Sequence, residues 1–123
     1  MLKHAQQAAH VLIIEEEEQL RSVLRKIFEG DGLFVETAPD SAQGFRALKL
    51  LEPHLVFVDL DGAHCRELCE KKSRDDSIKY VPTFGLTDDL ADIIDPPHGV
   101  MAVINKPPSV DGLLALASRF CRR

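Results

Sequence analysis

Five short apolar runs alternate with amphipathic stretches along the chain, and this alternation is the pattern of βαβ units that build a parallel sheet. Val11-Leu12-Ile13-Ile14 is apolar at every position, as a central strand covered on both faces must be. Leu33 to Thr37 reads as strand two, Leu55-Val56-Phe57-Val58 as strand three, Val81 to Leu86 as strand four and Val100 to Ile104 as strand five.

The intervening stretches carry the helical period. Leu20, Val23, Leu24, Ile27 and Phe28 fall at i, i+3, i+4, i+7 and i+8, and the stripe ends at Gly30 and Gly32. Asp40-Ser41-Ala42-Gln43 reads as an N-cap with glutamine at N3, opening a second helix that Pro53 follows. A third helix is expected from about Ala63 to Lys72 and a last one from about Ser109 to Cys121, burying Leu113, Leu116, Ala117 and Phe120. Between strands four and five, Asp95-Pro96-Pro97-His98-Gly99 should end a fourth helix early. The expected architecture is therefore α/β, a flavodoxin-like (βα)5 doubly wound parallel sheet in the order 2-1-3-4-5. One domain should span residues 1–123, with its core over about 10–121.

Composition narrows the function classes. Hydrophobic residues make up 45% and charged residues 28%, the balance of a soluble globular chain, and no apolar run approaches a bilayer span of roughly 20 residues. Met1 to Gln7 lacks the apolar stretch of a secretory signal, so a cytoplasmic location is expected. Cys65, Cys69 and Cys121 are an odd number without metal-site spacing and read as free thiols. His4, His10, His54, His64 and His98 share no ligand spacing and read as surface residues. A net charge of −5 argues against direct nucleic-acid binding.

The chemistry-bearing residues sit where strands end. Glu15 and Glu16 follow strand one and Asp59 follows strand three, and in the expected strand order these become neighbours at the sheet edge where such folds bind ligands. Clustered carboxylates repel unless protons or a cation intervene, and a hard cation such as Mg²⁺ accepts oxygen ligands of this kind. Thr87 ends strand four and Lys106 ends strand five, adding a hydroxyl and an ammonium to the same pocket. An aspartate nucleophile with Mg²⁺, a hydroxyl and a lysine suffices for phosphoryl transfer, which depends on positioning and charge neutralisation. Solvated strand ends, a helix-one N-terminus lined by Glu15 to Glu18 and a simple Lys106–Asp59 salt bridge are the structural alternatives.

The set Val11-Leu12-Ile13-Ile14-Glu15-Glu16, Leu55-Val56-Phe57-Val58-Asp59, Leu86-Thr87 and Asn105-Lys106-Pro107 resembles the receiver domains of two-component response regulators over about residues 10–121. The resemblance implies that Glu15 and Glu16 help bind a divalent metal, that Asp59 is phosphorylated, and that the Asp61 backbone carbonyl completes the metal shell. It further implies that Thr87 is the switch hydroxyl, that Lys106 contacts the phosphoryl group, and that the Lys106-Pro107 bond is cis. The implied donor is a histidine kinase or phosphotransfer protein. The implied reader is a downstream protein or fused output domain that meets helix four, strand five and the last helix.

The sequence also departs from that pattern. Both acidic residues are glutamates, the loop after Asp59 lacks the usual proline, Asp88 stands where a small residue is preferred, and Val103 replaces the aromatic partner of the switch. These departures suit an alternative, a phosphorylation-independent interaction module. Val58-Asp59-Leu60-Asp61-Gly62 also looks like the first motif of haloacid-dehalogenase-type phosphatases, but too few residues follow Lys106 for that family's acidic metal motif, so no enzyme is expected.

Overall fold

The computed structural model describes residues 10–121; the N-terminal segment read above as lacking a signal, and His4 with it, lie outside the described residues. The elements are β1 (His10–Ile14), α1 (Glu18–Gly30), β2 (Phe34–Ala38), α2 (Ser41–Leu51), β3 (Leu55–Asp59), α3 (Cys65–Ser73), β4 (Thr83–Thr87), β5 (Val100–Asn105) and α4 (Val110–Phe120). All strands pair in parallel, in the order β2-β1-β3-β4-β5. This is the expected doubly wound sheet.

The sheet separates two cores. Val11, Ile13, Leu55, Phe57, Phe84 and Leu86 face α1 and α4, meeting Leu24, Phe28, Leu113 and Ala117. Leu12, Ile14, Val56 and Val58 face the other way, toward Leu48 of α2 and Leu68 and Cys69 of α3. Because β1 and β3 are buried on both faces, every residue from Val11 to Ile14 and from Leu55 to Val58 is needed in a core. The α1 stripe is narrower than its spacing suggests: Leu24 and Phe28 are buried, while Val23 is 51% exposed.

Capping follows the local chemistry. Asp40 accepts from the Gln43 amide at 2.8 Å and opens α2, and Ser109 accepts from the Gly112 amide at 3.1 Å and opens α4. The third helix begins at Cys65 rather than Ala63 because His64 sits at φ 65°, a left-handed conformation outside any right-handed helix. Strand four begins at Thr83 rather than Val81, just beyond Pro82.

The largest correction lies between β4 and β5. The expected fourth helix is reduced to a three-residue 3-10 turn, Leu90–Asp92, held by the Asp89 side chain accepting from the Ala91 amide and by Asn105 Oδ1 accepting from the Leu90 amide. Pro96 and Pro97 forbid a longer helix there, since each lacks an amide proton and disfavours the helical conformation of its predecessor. The face expected to be built on helix four consists instead of this turn, β5 and α4. Leu60, from the loop after β3, lies across Gly85 of β4 so closely that a Cβ there would come within 2.5 Å of Leu60 Cδ1.

Candidate functional site

The parallel sheet brings its chemistry-bearing residues to one edge. Glu15 follows β1, Asp59 ends β3, Thr87 ends β4 and Lys106 follows β5, so strand order alone makes them neighbours. The backbone locks this edge: the Leu60 amide donates to the Leu86 carbonyl at 2.8 Å and the Lys106 amide to the Thr87 carbonyl at 2.7 Å. The Lys106-Pro107 peptide is cis, as the sequence resemblance implies.

Lys106 is the hub. Its Nζ lies 3.0 Å from Asp59 Oδ1, 3.3 Å from Glu15 Oε1 and 3.4 Å from Asp61 Oδ2, so one ammonium serves three carboxylates. Burial disfavours its charge, but bonding and attraction to Asp59 and then Glu15 outweigh burial and hold its pKa above the ordinary lysine value. Asp59 is itself buried; it accepts from the Asp61 amide at 2.9 Å on Oδ1 and from the Glu16 amide at 3.3 Å on Oδ2.

The two adjacent glutamates separate. Glu15 is 1% exposed, and burial pushes its pKa up to about 7; the Glu17 amide bond and Lys106 counteract this while Asp59 adds to it. Its Oε2 accepts from the Glu17 amide at 3.0 Å and from Lys106 Nζ at 3.4 Å, while its buried Oε1 makes the 3.3 Å ion pair to Lys106 but no hydrogen bond. Glu16 is exposed and lines the rim of a cleft beside Asp59, bounded by Asp40, Gly62 and His64. Arg21 steadies this turn by donating to the Glu15 and Glu16 carbonyls at 2.9 and 3.2 Å. No periodic signal marks that contact in the sequence.

The Asp61 side chain reaches the end of β4, where Oδ1 accepts from the Thr87 hydroxyl at 2.7 Å and Oδ2 from the Asp88 amide at 2.8 Å. Burial acts to raise the Asp61 pKa, but the Thr87 and Asp88 bonds and Lys106 prevail and leave it below the ordinary aspartate value. Thr87 is fully buried, its hydroxyl oxygen accepting in turn from the Asp89 amide at 3.2 Å. Val103, standing where an aromatic residue is usual, is half-buried in β5, and Asp88 is exposed. His10, His54, His64 and His98 are all at least partly exposed, and the three cysteines are buried, burial pushing Cys69 up to about 11.

Solved structures of receiver domains resemble the chain over nearly its whole length. The receiver domain of a sensor histidine kinase from Pseudomonas aeruginosa, with a magnesium ion coordinated in its active-site cleft, matches with a TM-score of 0.84 at 16% identity, covering 94% of this chain and 99% of that one. A chemotaxis response regulator of Vibrio cholerae matches with a TM-score of 0.81 at 19% identity, over 92% and 98% of the two chains. The signal receiver domain of a signal-transduction histidine kinase from Syntrophus aciditrophicus matches with a TM-score of 0.81 at 23% identity, over 93% and 90%. The chain has the receiver-domain fold. No protein-family model and no curated protein matches the sequence. The likeness to receiver domains therefore lives in the course of the backbone.

The donor chemistry of that edge suits a hard divalent cation in part. Glu15 Oε1 is a buried carboxylate oxygen that has an ion pair to Lys106 but no hydrogen bond, and the three carboxylates Glu15, Asp59 and Asp61 share the ammonium of Lys106. Among the described residues, however, no group of three or more histidine, cysteine, aspartate or glutamate side chains is placed to hold a metal ion. A cation here would take carboxylate oxygens from Glu15 and Asp59 and a backbone carbonyl, with water completing its shell, a composition Mg²⁺ accepts. No helix among the described residues is long and apolar enough to cross a membrane.

Proposed function

We propose that this domain is a two-component receiver that accepts a phosphoryl group on Asp59. The observation that carries the reading is the convergence of Lys106 Nζ on Asp59 Oδ1 at 3.0 Å beside a cleft that reaches the same carboxylate. Oδ1 is taken by Lys106 and the Asp61 amide, so Oδ2, with only the longer Glu16 amide bond, is the nucleophile. Gly62 keeps its approach open: a Cβ at that position would stand 3.5 Å from Oδ2.

In the transfer, Oδ2 forms a bond to phosphorus as the bond between phosphorus and the donor's histidine nitrogen breaks, and that electron pair leaves with the imidazole. Lys106 neutralises charge gathering on the acyl phosphate. Mg²⁺, held by Glu15, Asp59 and the Asp61 carbonyl with Glu16 at the rim, would supply further neutralisation. The donor is a cytoplasmic histidine kinase or phosphotransfer protein. The reader is a downstream protein or output domain that docks on the 3-10 turn, the segment after it, β5 and α4, where Ile94 of that segment is 91% and Met101 of β5 57% exposed. Neither a membrane nor direct nucleic-acid contact enters this role, and the domain turns over no small substrate.

A second reading, a phosphorylation-independent interaction module on the same fold, is favoured by one observation: Thr87 already has a carboxylate partner in Asp61. Intact-protein mass after incubation with Mg²⁺ and acetyl phosphate separates the two. A labile single-phosphate increment that Asp59→Ala abolishes supports the receiver; a folded protein that gains none from acetyl phosphate or from phosphohistidine donors supports the module.

A further inference from the structure

Asp61 does more in this cleft than a backbone ligand or a turn residue needs to do. Its carboxylate gathers the Thr87 hydroxyl at 2.7 Å, the Asp88 amide at 2.8 Å and the Lys106 ammonium at 3.4 Å. These donors come from the ends of two different strands, β4 and β5, and converge on one anion. The Asp89 amide donates to Thr87 Oγ1 at 3.2 Å, which orients the hydroxyl so that its proton goes to Asp61.

We propose that the Asp61 carboxylate is a built-in occupant of the oxyanion slot formed by Thr87 Oγ1, the Asp88 amide and Lys106 Nζ, and that a phosphoryl group on Asp59 must displace it. A hydroxyl and a backbone amide each carry one proton, so neither can serve Asp61 and a phosphoryl oxygen at once. The Asp61 amide already bonds Asp59 Oδ1 at 2.9 Å, which tethers the competing carboxylate two residues from the acceptor. Thr87, bonded to this carboxylate, is 1% exposed. Phosphorylation then acts on the β3–α3 loop, releasing Asp61, whose side chain at 35% exposure has solvent to move into. The inference rests on the Asp59 reading only for the identity of the displacing group.

The test uses inorganic phosphate as the probe, without Mg²⁺ or a phosphodonor, and follows the Asp88 amide resonance of the full chain by NMR. In the unsubstituted protein that amide stays at its strongly hydrogen-bonded position and shows no saturable response to phosphate. In Asp61→Ala it loses that position in phosphate-free buffer and regains it on titration, with phosphate binding about tenfold or more tighter than in the unsubstituted protein. Asp61→Asn keeps the shape and removes the charge; it should give the same ordering with a smaller change, and decides the matter if the alanine variant does not fold. A phosphate response equal in all three proteins, or absent from both variants, overturns the proposal, as does an Asp88 resonance that neither substitution moves. Phosphoryl transfer to Asp59 plays no part in this titration, so its failure and the failure of the mass experiment are separate results.

Discussion

The hydroxyl of Thr87 donates to Asp61 Oδ1 at 2.7 Å, tying the end of β4 to the loop that follows β3 through a bond between side chains. Both ends of the bond are held independently, Thr87 by the Asp89 amide and Asp61 by the Asp88 amide and Lys106. The sheet edge is thus cross-linked by polar contacts whose members depend on one another.

Removing that hydroxyl should cost stability out of proportion to its size. Thr87→Val keeps the buried volume but strips a charge-assisted donor from Asp61, and the expected loss is about 1.5–3 kcal/mol in denaturant unfolding. Thr87→Ser keeps the donor and should recover most of this; equal losses in the two variants would show that packing, not the bond, is at stake.

Lys106 neutralises two deeply buried carboxylates, Glu15 at 1% and Asp59 at 6% exposure. Lys106→Met should destabilise the domain by about 3–5 kcal/mol at neutral pH, because breaking such a group leaves uncompensated buried charge. Lowering the pH toward 5 should return part of that loss as Glu15, whose pKa burial raises to about 7, takes up a proton. A loss that is the same at both pH values would assign the effect to the side chain's packing.

The buried Glu15 sets a pH dependence with a definite sign. Its pKa is raised from 4.5 to about 7 in the folded protein, so the folded state binds the proton more tightly than the unfolded chain does. Its contribution is therefore fully present below about 4.5 and is lost as pH rises through about 7. Asp61, with a lowered pKa, acts in the opposite sense and at lower pH, losing its contribution as pH falls below the unfolded aspartate value of 3.8. Unfolding midpoints measured from pH 5 to 8 without divalent metal should fall relative to those of Glu15→Gln, in which the neutral form is permanent. Parallel curves would dismiss the raised pKa.

Millimolar Mg²⁺ should raise the unfolding midpoint at pH 8, with chelation reversing the gain, because an ion that binds only the folded state stabilises it. Glu15→Gln should lose most of the gain. A stabilisation that survives in both Glu15→Gln and Asp59→Asn would place the ion elsewhere.

Gly44 supplies a test of packing away from the cleft. A Cβ added to this α2 residue would come within 2.6 Å of Ile14 Cδ1 and 2.9 Å of Ile14 Cγ2, so Gly44→Ala should cost about 1–3 kcal/mol despite alanine's better helix propensity. A neutral or stabilised variant would mean that α2 can move off β1 freely.

The order of strands and helices was legible because it rests on local alternation. Val11 to Ile14 and Leu55 to Val58 can satisfy four consecutive apolar side chains only when helices cover both faces of the sheet, and Asp40 and Ser109 are caps whose chemistry acts within three residues. Asp59, Thr87 and Lys106 were legible for a related reason: each marks a strand end, and a parallel sheet collects strand ends at one edge. The loss of the fourth helix was only half legible. Pro96 and Pro97 announce a break, but how short the surviving turn would be depends on Asn105, fifteen residues beyond Leu90, accepting its amide.

The sequence by itself determined the doubly wound sheet and the residues at its edge, since both follow from periodicity and from the positions where apolar runs end. Only the tertiary structure decided how adjacent acids divide their work: Glu15 buried and Glu16 at the rim, and Asp61 turned in to hold Thr87 and Asp88. The reason is that such fates depend on a balance between desolvation and donors supplied from distant strands, above all the single ammonium of Lys106, and no local pattern of residues records that balance.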